Sequence, residues 1–287
     1  MMNIKNMKTN IFLGLIMMFL SGIINAQNKG EINVSLSNPD SKGSLYVNIK
    51  RANIKVQGTN RQDVLIQYEP MALAEDCDSC DDDRNKRKSE LERISNNAVA
   101  LEAVEDNNKV RISSDSWNKG FSLIIQVPRN FDLDINGYDG GDILVENVKG
   151  EVALQNYNGK ISAIGISGSV SANTYNGKII VTLKEVTLGV PMAFNTYNGD
   201  VDVTFPKSMK GSFKLKTSRG SILSAFDMEM RKPEPVEKTK NKSDTYKVYL
   251  NDWVKADLNG GGPEIVMKTY NNDIYIRKSN TLEFITR

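Results

Sequence analysis

The chain of 287 residues has no histidine, only two cysteines and, apart from one segment near its start, no long apolar run. Histidine is the commonest general base and metal ligand of enzymes, so its absence excludes the usual catalytic triads and histidine-bound zinc centres. The sequence also lacks a Gly-x-Ser-x-Gly elbow, a phosphate-binding loop and a zinc-binding helix motif. We therefore expect a protein that is not an enzyme and that holds no metal or cofactor.

The one long apolar run is typical of a secretory signal peptide. Lys5 and Lys8 precede the apolar residues 11–20, and the small Ala26 suits a cleavage site. The alternative, a membrane anchor, would need about 20 apolar residues, and a lipid anchor would need a cysteine at the cut. We expect residues 1–26 to be removed. The mature protein would then be exported, would not span a membrane, and would lie in the periplasm or at the cell surface.

The mature chain has almost no net charge. Cleavage removes two of the 37 basic residues and no acidic one, which leaves 35 basic against 35 acidic residues. A net charge near zero gives no electrostatic reason to bind nucleic acid or an anionic membrane. We therefore expect no nucleic-acid partner.

The two cysteines, Cys77 and Cys80, form a C-x-x-C pair surrounded by aspartates. Zinc would need two more ligands, and the chain offers neither a histidine nor a third cysteine. The aspartates disfavour a redox pair, because negative charge raises a thiol pKa. Export favours a local disulfide, with weak metal binding and free thiols as the alternatives.

Glycines at nine-residue intervals mark a repeat between residues 138 and 183. In each unit the third residue is β-branched, the fifth is apolar and the second is polar. Apolar residues at alternate positions predict strands with one buried face, and glycine provides the turns between them. The glycines are Gly141, Gly150, Gly159, Gly168 and Gly177, and the third-position residues are Ile143, Val152, Ile161, Val170 and Ile179.

The nine-residue units alternate in type, which gives the repeat a longer period. The eighth position reads Val148, Tyr157, Ile166 and Tyr175, so the true repeat is two units, or about 18 residues. This length predicts an all-β fold, a β-solenoid (β-helix-like) of about 18-residue two-strand coils. Tyrosine recurs before turns of the Asn-Gly type, which suit a positive φ, at Tyr138, Tyr157, Tyr175, Tyr197 and Tyr270.

Two charged excursions interrupt the strand pattern, at about residues 71–95 and 227–244. The second is rich in Lys, Glu and Pro and has too few large apolar residues to bury enough surface to order itself. Strand-like alternation continues outside the two segments. The sequence therefore predicts a single β-solenoid domain over residues 27–287.

These features together resemble the putative-adhesin β-solenoid domain family of exported Gram-negative bacterial proteins. The resemblance covers most of residues 30–280. It rests on the Tyr-Asn-Gly corners, strand 123–128, the Gly-Gly-Gly-Pro-Glu-Ile loop at 260–265 and the terminal strand 273–278. It implies a β-helix-like fold and a periplasmic or surface location. A fold does not fix a function.

Two columns of exposed residues are candidate sites. The residues that follow each corner carry mixed charges, which is typical of a solvated salt-bridge ladder rather than of a catalytic cluster; they are Asp142, Lys160, Lys178, Asp200, Ser221 and Asp273. The tyrosines Tyr157, Tyr175 and Tyr197 either present aromatic surface to sugars or to a partner, or pack on one another.

The sequence thus predicts a non-catalytic, adhesin-like binding or structural module of the cell envelope. Its partner would be an envelope glycan or another envelope protein. The alternative is a polysaccharide-acting enzyme, a lyase or hydrolase, on a β-helix scaffold. Acidic residues converging with a lysine or arginine in a groove would favour the enzyme.

Overall fold

The computed structural model describes residues 29–71, 101–114, 120–232, 239–240, 246–247 and 253–279. The predicted signal peptide, Cys77 and Cys80 lie outside the described residues. So do all but the first residue of the predicted excursion at 71–95 and part of that at 227–244. The part of the chain that the structure describes contains no helix with the length and hydropathy of a membrane span.

All regular structure in the described residues is β-strand. The first strands are β1 (Gly30–Ser35), β2 (Gly43–Thr59), β3 (Asp63–Met71), β4 (Glu102–Asp106), β5 (Lys109–Ser114), β6 (Gly120–Pro128), β7 (Phe131–Asp139), β8 (Ile143–Glu146), β9 (Lys149–Asn158) and β10 (Ile161–Asn176). They are followed by β11 (Ile179–Val186), β12 (Met192–Asn195), β13 (Val201–Phe205), β14 (Gly211–Lys216), β15 (Ile222–Ser224), β16 (Glu229–Met230), β17 (Thr239–Lys240), β18 (Tyr246–Lys247), β19 (Val254–Leu258), β20 (Glu264–Lys268) and β21 (Ile274–Lys278).

In the described residues, 19 strands form one large sheet, and β17 and β18 form a separate pair. The large sheet has two faces, because β2 and β10 each run from one face to the other. Face A contains, in spatial order, β4, β5, the first half of β2, β7, β9, the second half of β10, β12, β20, β14, β19 and β16. Face B contains β1, β3, β6, the second half of β2, β8, the first half of β10, β11, β13, β21 and β15. A coil is one strand of face A followed by one of face B, so the fold is all-β and solenoid-like.

The core lies between the two faces and is built from alternate residues of each strand. Ile143, Ile161 and Ile179 are fully buried and pair directly in register on face B. Burial of one such side chain stabilises the fold by about 1.5–3 kcal/mol. The inward face predicted from the sequence is confirmed at these positions.

The order of coils in space differs from their order in the chain. The coil of β2 lies between the coil of β5 and β6 and that of β7 and β8. The coil of β20 and β21 lies between β12–β13 and β14–β15. Register offsets are therefore 18 residues from Ile143 to Ile161 and from Ile161 to Ile179, 22 from Ile179 to Val201, and 73 from Val201 to Ile274.

Candidate functional site

Five tyrosines stack on one another along the corner that leads from face A to face B. Neighbouring ring centroids are 4.7–5.2 Å apart and the ring planes differ by only 4–10°. The spacing follows from the distance between stacked strands, about 4.8 Å, because each tyrosine occupies the same position of its coil. This tyrosine ladder consists, in spatial order, of Tyr138, Tyr157, Tyr175, Tyr197 and Tyr270.

The ladder is exposed, but its ring faces are covered. The tyrosine at one end, Tyr138, is 47% exposed, and Tyr197 is still 38% exposed. The three predicted binding residues, Tyr157, Tyr175 and Tyr197, all lie between two other rings. A partner can therefore reach their edges and hydroxyl groups but cannot stack on their faces. Binding at these residues stays a prediction.

The turn residue that follows each tyrosine forms a second ladder, which we call the asparagine ladder. The Nδ2 group of Asn176 donates to Oδ1 of Asn158 at 2.8 Å, and that of Asn198 donates to Oδ1 of Asn176 at 2.7 Å. Asn271 donates in the same direction to Asn198. Aligned hydrogen bonds of this kind polarise one another. The side chains of the ladder are Asn158, Asn176, Asn198 and Asn271.

Both ends of the asparagine ladder meet a charge of the matching sign. Asn158 donates to the carboxylate of Asp139 at 3.3 Å, and Arg219 donates to Oδ1 of Asn271 at 3.4 Å. The guanidinium carbon of Arg219 also lies 5.5 Å from the ring centroid of Tyr270. Arg219 therefore covers the last ring and the last amide together through cation–π and hydrogen-bond contacts.

The residue before each tyrosine points inward and fixes the corner to the neighbouring coil. Thr174 donates its hydroxyl hydrogen to the carbonyl of Gly159 at 3.2 Å, and Thr196 donates to that of Gly177 at 2.9 Å. Both threonines are buried, so these bonds satisfy their hydroxyl groups. The corners approach each other so closely that a Cβ added at Gly177 would lie 2.0 Å from the carbonyl oxygen of Gly159.

Two residues before each of the first four tyrosines, amides line the outer surface of face A. They are adjacent in register from β2 through β7, β9 and β10 to β12. Because alternate residues point to one side of a strand, this column runs parallel to the tyrosine ladder about 7 Å away. This amide column consists of Asn48, Asn136, Gln155, Asn173 and Asn195.

A shallow trough of about 590 Å³ lies on the other side of the amide column. Its floor is low because small residues, among them Ala153 and Ser171, occupy the neighbouring column. Tyr46, Asp134 and Pro191 are among the residues around it. Trough, amides and tyrosine edges together form one exposed strip along the solenoid axis.

The charged residues that follow the corners pair across the coils. The Lys160 ammonium lies 3.7 Å from Asp142, and that of Lys178 lies 3.3 Å from Asp200. The Asp142 carboxylate also accepts the backbone N–H of Lys160 at 2.8 Å. These contacts fit the salt-bridge ladder expected from the sequence. Among the described residues, no group of three or more Cys, Asp or Glu side chains is placed to hold a metal ion.

Sequence reasoning found the tyrosines but missed the amide column and the role of Arg219. The signal for the amides is present in the sequence, since the motif extends two residues upstream of the tyrosine in Gln155-Asn156-Tyr157 and Asn173-Thr174-Tyr175. In the degenerate corner Ser218-Arg219-Gly220, Arg219 takes the place of the asparagine. Only the spatial order of the coils brings it next to Tyr270.

The fold and the exposed strip define an all-β, solenoid-like protein with stacked aromatic side chains at one corner. The chain belongs to the DUF4097 family, described as Toastrack, whose model matches residues 2–252. This match confirms the resemblance to the putative-adhesin domain family. Restriction to Gram-negative bacteria stays a prediction.

Solved structures, among them the following two, also match the chain. One is a putative cell adhesion protein from Clostridium sporogenes ATCC 15579, with 11% identity and a TM-score of 0.44, covering 88% of this chain and 100% of that chain. The other is a putative adhesin from Bacteroides fragilis NCTC 9343, with 11% identity and a TM-score of 0.39, covering 88% of this chain and 98% of that chain. No curated protein matches this chain.

Proposed function

We propose that the protein is a non-catalytic, adhesin-like module of the cell envelope that binds an envelope glycan along the strip of tyrosine edges and amides. The observation that carries the proposal is the tyrosine ladder, which is exposed, stacked and in register with the amide column. The predicted signal peptide supports export to the periplasm or the cell surface.

The chemistry of the strip suits a ligand rich in hydroxyl groups. The tyrosine edges and hydroxyl groups offer amphipathic contact at low entropic cost, and amides supply both donors and acceptors. Stacking already restricts the rings, so little further side-chain freedom is lost on binding. The same groups recur at every coil, about 4.8 Å apart, which favours a linear polymer that lies along the solenoid axis.

The carboxyl groups with lowered pKa values do not suit the role of a general acid. A general acid near neutral pH needs a carboxyl pKa that is raised. Hydrogen bonds from Arg231 and Ser212 instead lower the pKa of Asp257. All the shifted carboxyl pKa values among the described residues are lowered, namely those of Asp63, Glu105, Glu146 and Asp257.

The proposal is tested by measuring binding of the processed protein to a panel of purified bacterial cell-wall and capsular polysaccharides. We expect Tyr175→Ala and Asn173→Ala to weaken binding, because they remove one tyrosine edge and one amide of the strip. Tyr275→Ala is the matched control, since Tyr275 lies on β21 of face B. Equal binding by all three variants would show that the strip is not the site. Binding to envelope proteins alone would replace the glycan by a protein partner.

The enzymatic alternative has a direct test of its own. The protein is incubated with uronic-acid polymers, and unsaturated products are followed by ultraviolet absorbance. A steady rise in absorbance that scales with protein concentration would overturn the non-catalytic assignment.

A further inference from the structure

Beyond its last amide, Asn195, the amide column is continued by lysines. On β20 and β14, the next two strands of face A, the same column continues with Lys268 beside Asn195 and with Lys216 beside Lys268. Lys268 is two residues before Tyr270, so it stands next to the tyrosine ladder as Asn173 stands next to Tyr175. One end of the strip is therefore cationic.

Further lysines surround this end of the column. Lys214 lies two residues before Lys216 on the same side of β14, and Lys255 is the register partner of Lys214 on β19. Lys216 and Lys268 are direct register partners. We call these four residues, Lys214, Lys216, Lys255 and Lys268, the lysine block.

Two pairs of these lysines are direct register partners on neighbouring strands. Like charges in that arrangement repel and are favoured by an anionic counterpart. The acidic residues of these strands, Glu264 and Asp257, stand further from the tyrosine ladder, in the column of Ser212. Asp257 is bound by Arg231 through two nitrogen atoms.

An aromatic side chain lies within the block. The Nζ atoms of Lys214 and Lys216 are 4.8 and 5.7 Å from the ring centroid of Trp253. Two ammonium groups are therefore gathered over one indole by cation–π contacts. Trp253 also provides a spectroscopic reporter, because the chain contains only two tryptophans.

Acidic residues lie at the opposite end of the strip, together with the basic side chains of Lys42, which pairs with Asp132 at 2.7 Å, and Lys109. Asp132, Asp134 and Glu151 line the trough beside β7 and β9, and Asp139 ends the asparagine ladder there. Charges of both signs therefore meet at that end, whereas lysines gather at the other. A ligand with one anionic portion would be attracted to the lysine block.

We infer that the lysine block binds the carboxylate groups of an acidic glycan, with the neighbouring sugars lying over the amide column. The inference rests on the proposed function and narrows it to one class of glycan and one orientation. Carboxylate oxygens would accept hydrogen bonds from Lys214 and Lys268, while sugar hydroxyls would meet Asn195 and the edge of Tyr197. The charge of the lysine block would fix the position of the glycan along the strip, and the amide column would hold the rest of the glycan by hydrogen bonds.

The probe is a tetramer of galacturonic acid, compared with the neutral galactose tetramer and with inorganic polyphosphate. We expect the acidic tetramer to bind more tightly than the neutral one and to shift the fluorescence of Trp253, a shift that Trp253→Phe removes. The double variant Lys214→Gln and Lys268→Gln should weaken acidic binding roughly tenfold. Lys160→Gln is the control, because it removes one lysine from face B, where Lys160 pairs with Asp142.

Equal affinity for the acidic and the neutral tetramer, or no effect of the double variant, would overturn the inference about the lysine block. The proposed function would still be supported if polysaccharide binding depended on Tyr175. Polyphosphate binding as tight as that of the acidic tetramer, and unaffected by Asn195→Ala, would reduce the block to a non-specific anion site. If the wild-type protein bound no glycan at all, both the inference and the proposed function would be wrong.

Discussion

Tyr197 and Tyr270 stack with their ring centroids 4.7 Å apart and their planes inclined by 4°, although 73 residues separate them in the chain. The contact exists because the coil of β20 and β21 is inserted next to that of β12 and β13. The same insertion brings Arg219 over Tyr270. The last coil therefore extends the ladder from four rings to five and carries the lysine that follows the amides.

Replacing Tyr197 tests how much the stacking stabilises the fold. Tyr197→Ala removes contacts to Tyr175 at 4.9 Å and to Tyr270 at 4.7 Å. We expect the free energy of unfolding in urea to fall by about 1–3 kcal/mol. Tyr197→Phe keeps the ring and should stay within about 0.5 kcal/mol of wild type. Equal stability of the two variants would mean that stacking contributes nothing.

The asparagine ladder predicts an unusual pH dependence for one variant. In Asn176→Asp the carboxylate cannot donate to Oδ1 of Asn158, so two acceptors face each other where a 2.8 Å hydrogen bond exists now. Protonation would restore a donor, which raises the folded-state pKa of the new carboxyl group. Its stabilising contribution is then present at low pH and is lost as the pH rises through that raised pKa.

The comparison for this test is Asn176→Ala, which loses both side-chain hydrogen bonds at every pH. We expect about 1 kcal/mol of destabilisation from the alanine variant and more from the aspartate variant at pH 7. Urea titrations between pH 3 and pH 8 measure both. An aspartate variant whose deficit relative to alanine does not shrink on acidification would contradict the directional ladder.

The inward face of the strands is tested by a pair of aspartate substitutions on β10 and β11. Ile161 is fully buried between Ile143 and Ile179, whereas Ile180 points outward and is half-buried. We expect Ile161→Asp to destabilise the fold by about 4 kcal/mol or more, because it buries an unpaired charge. Ile180→Asp should have a much smaller effect. Circular dichroism on heating distinguishes them, and similar melting temperatures would refute the assignment.

The core and the corners could be read from the sequence because both are local patterns. Alternation around Ile161 is set by the strand period, and the Tyr157-Asn158-Gly159 corner is set by turn chemistry. The order of coils was not predictable in this way. Every coil presents the same backbone edge and the same alternation, so the pattern does not say which coil stacks on which.

The site shows the same division. The tyrosines recur at one position of the repeat, so the sequence reveals them. Their stacking follows from the distance between neighbouring coils. The lysine block was hidden, because Lys268 and Lys216 are 52 residues apart in the chain and become neighbours only through the inserted coil. A contact between rungs distant in sequence depends on topology rather than on local pattern.

Asp257 should make acid stability sensitive to one ion pair. Hydrogen bonds from Arg231 and then from Ser212 hold its pKa below the ordinary value of 3.8. The stabilisation is therefore complete above that value and is lost as the pH falls through the lower folded-state pKa. We expect the free energy of unfolding to fall less between pH 7 and pH 2 in Asp257→Asn than in the wild-type protein. Arg231→Gln should have the same effect. An unchanged pH dependence in both variants would show that this ion pair does not contribute to acid stability.

Two glycine substitutions separate close approach between coils from backbone conformation. At Gly177, an added Cβ would lie 2.0 Å from the carbonyl oxygen of Gly159, which is backbone and cannot move without opening the corner. At Gly189 the φ angle is +81° and nothing lies within 4 Å of the added atom.

We therefore expect Gly177→Ala to lower the free energy of unfolding by about 3 kcal/mol or more, and Gly189→Ala by only about 1 kcal/mol, the strain of a left-handed alanine. The near-ultraviolet circular dichroism of the stacked tyrosines should change in Gly177→Ala alone. In that variant the added Cβ pushes neighbouring corners apart and so separates Tyr157 from Tyr175. If the two alanines destabilise equally and leave that signal intact, the corners are not held by glycine contact, and the ladder must owe its spacing to the strands alone.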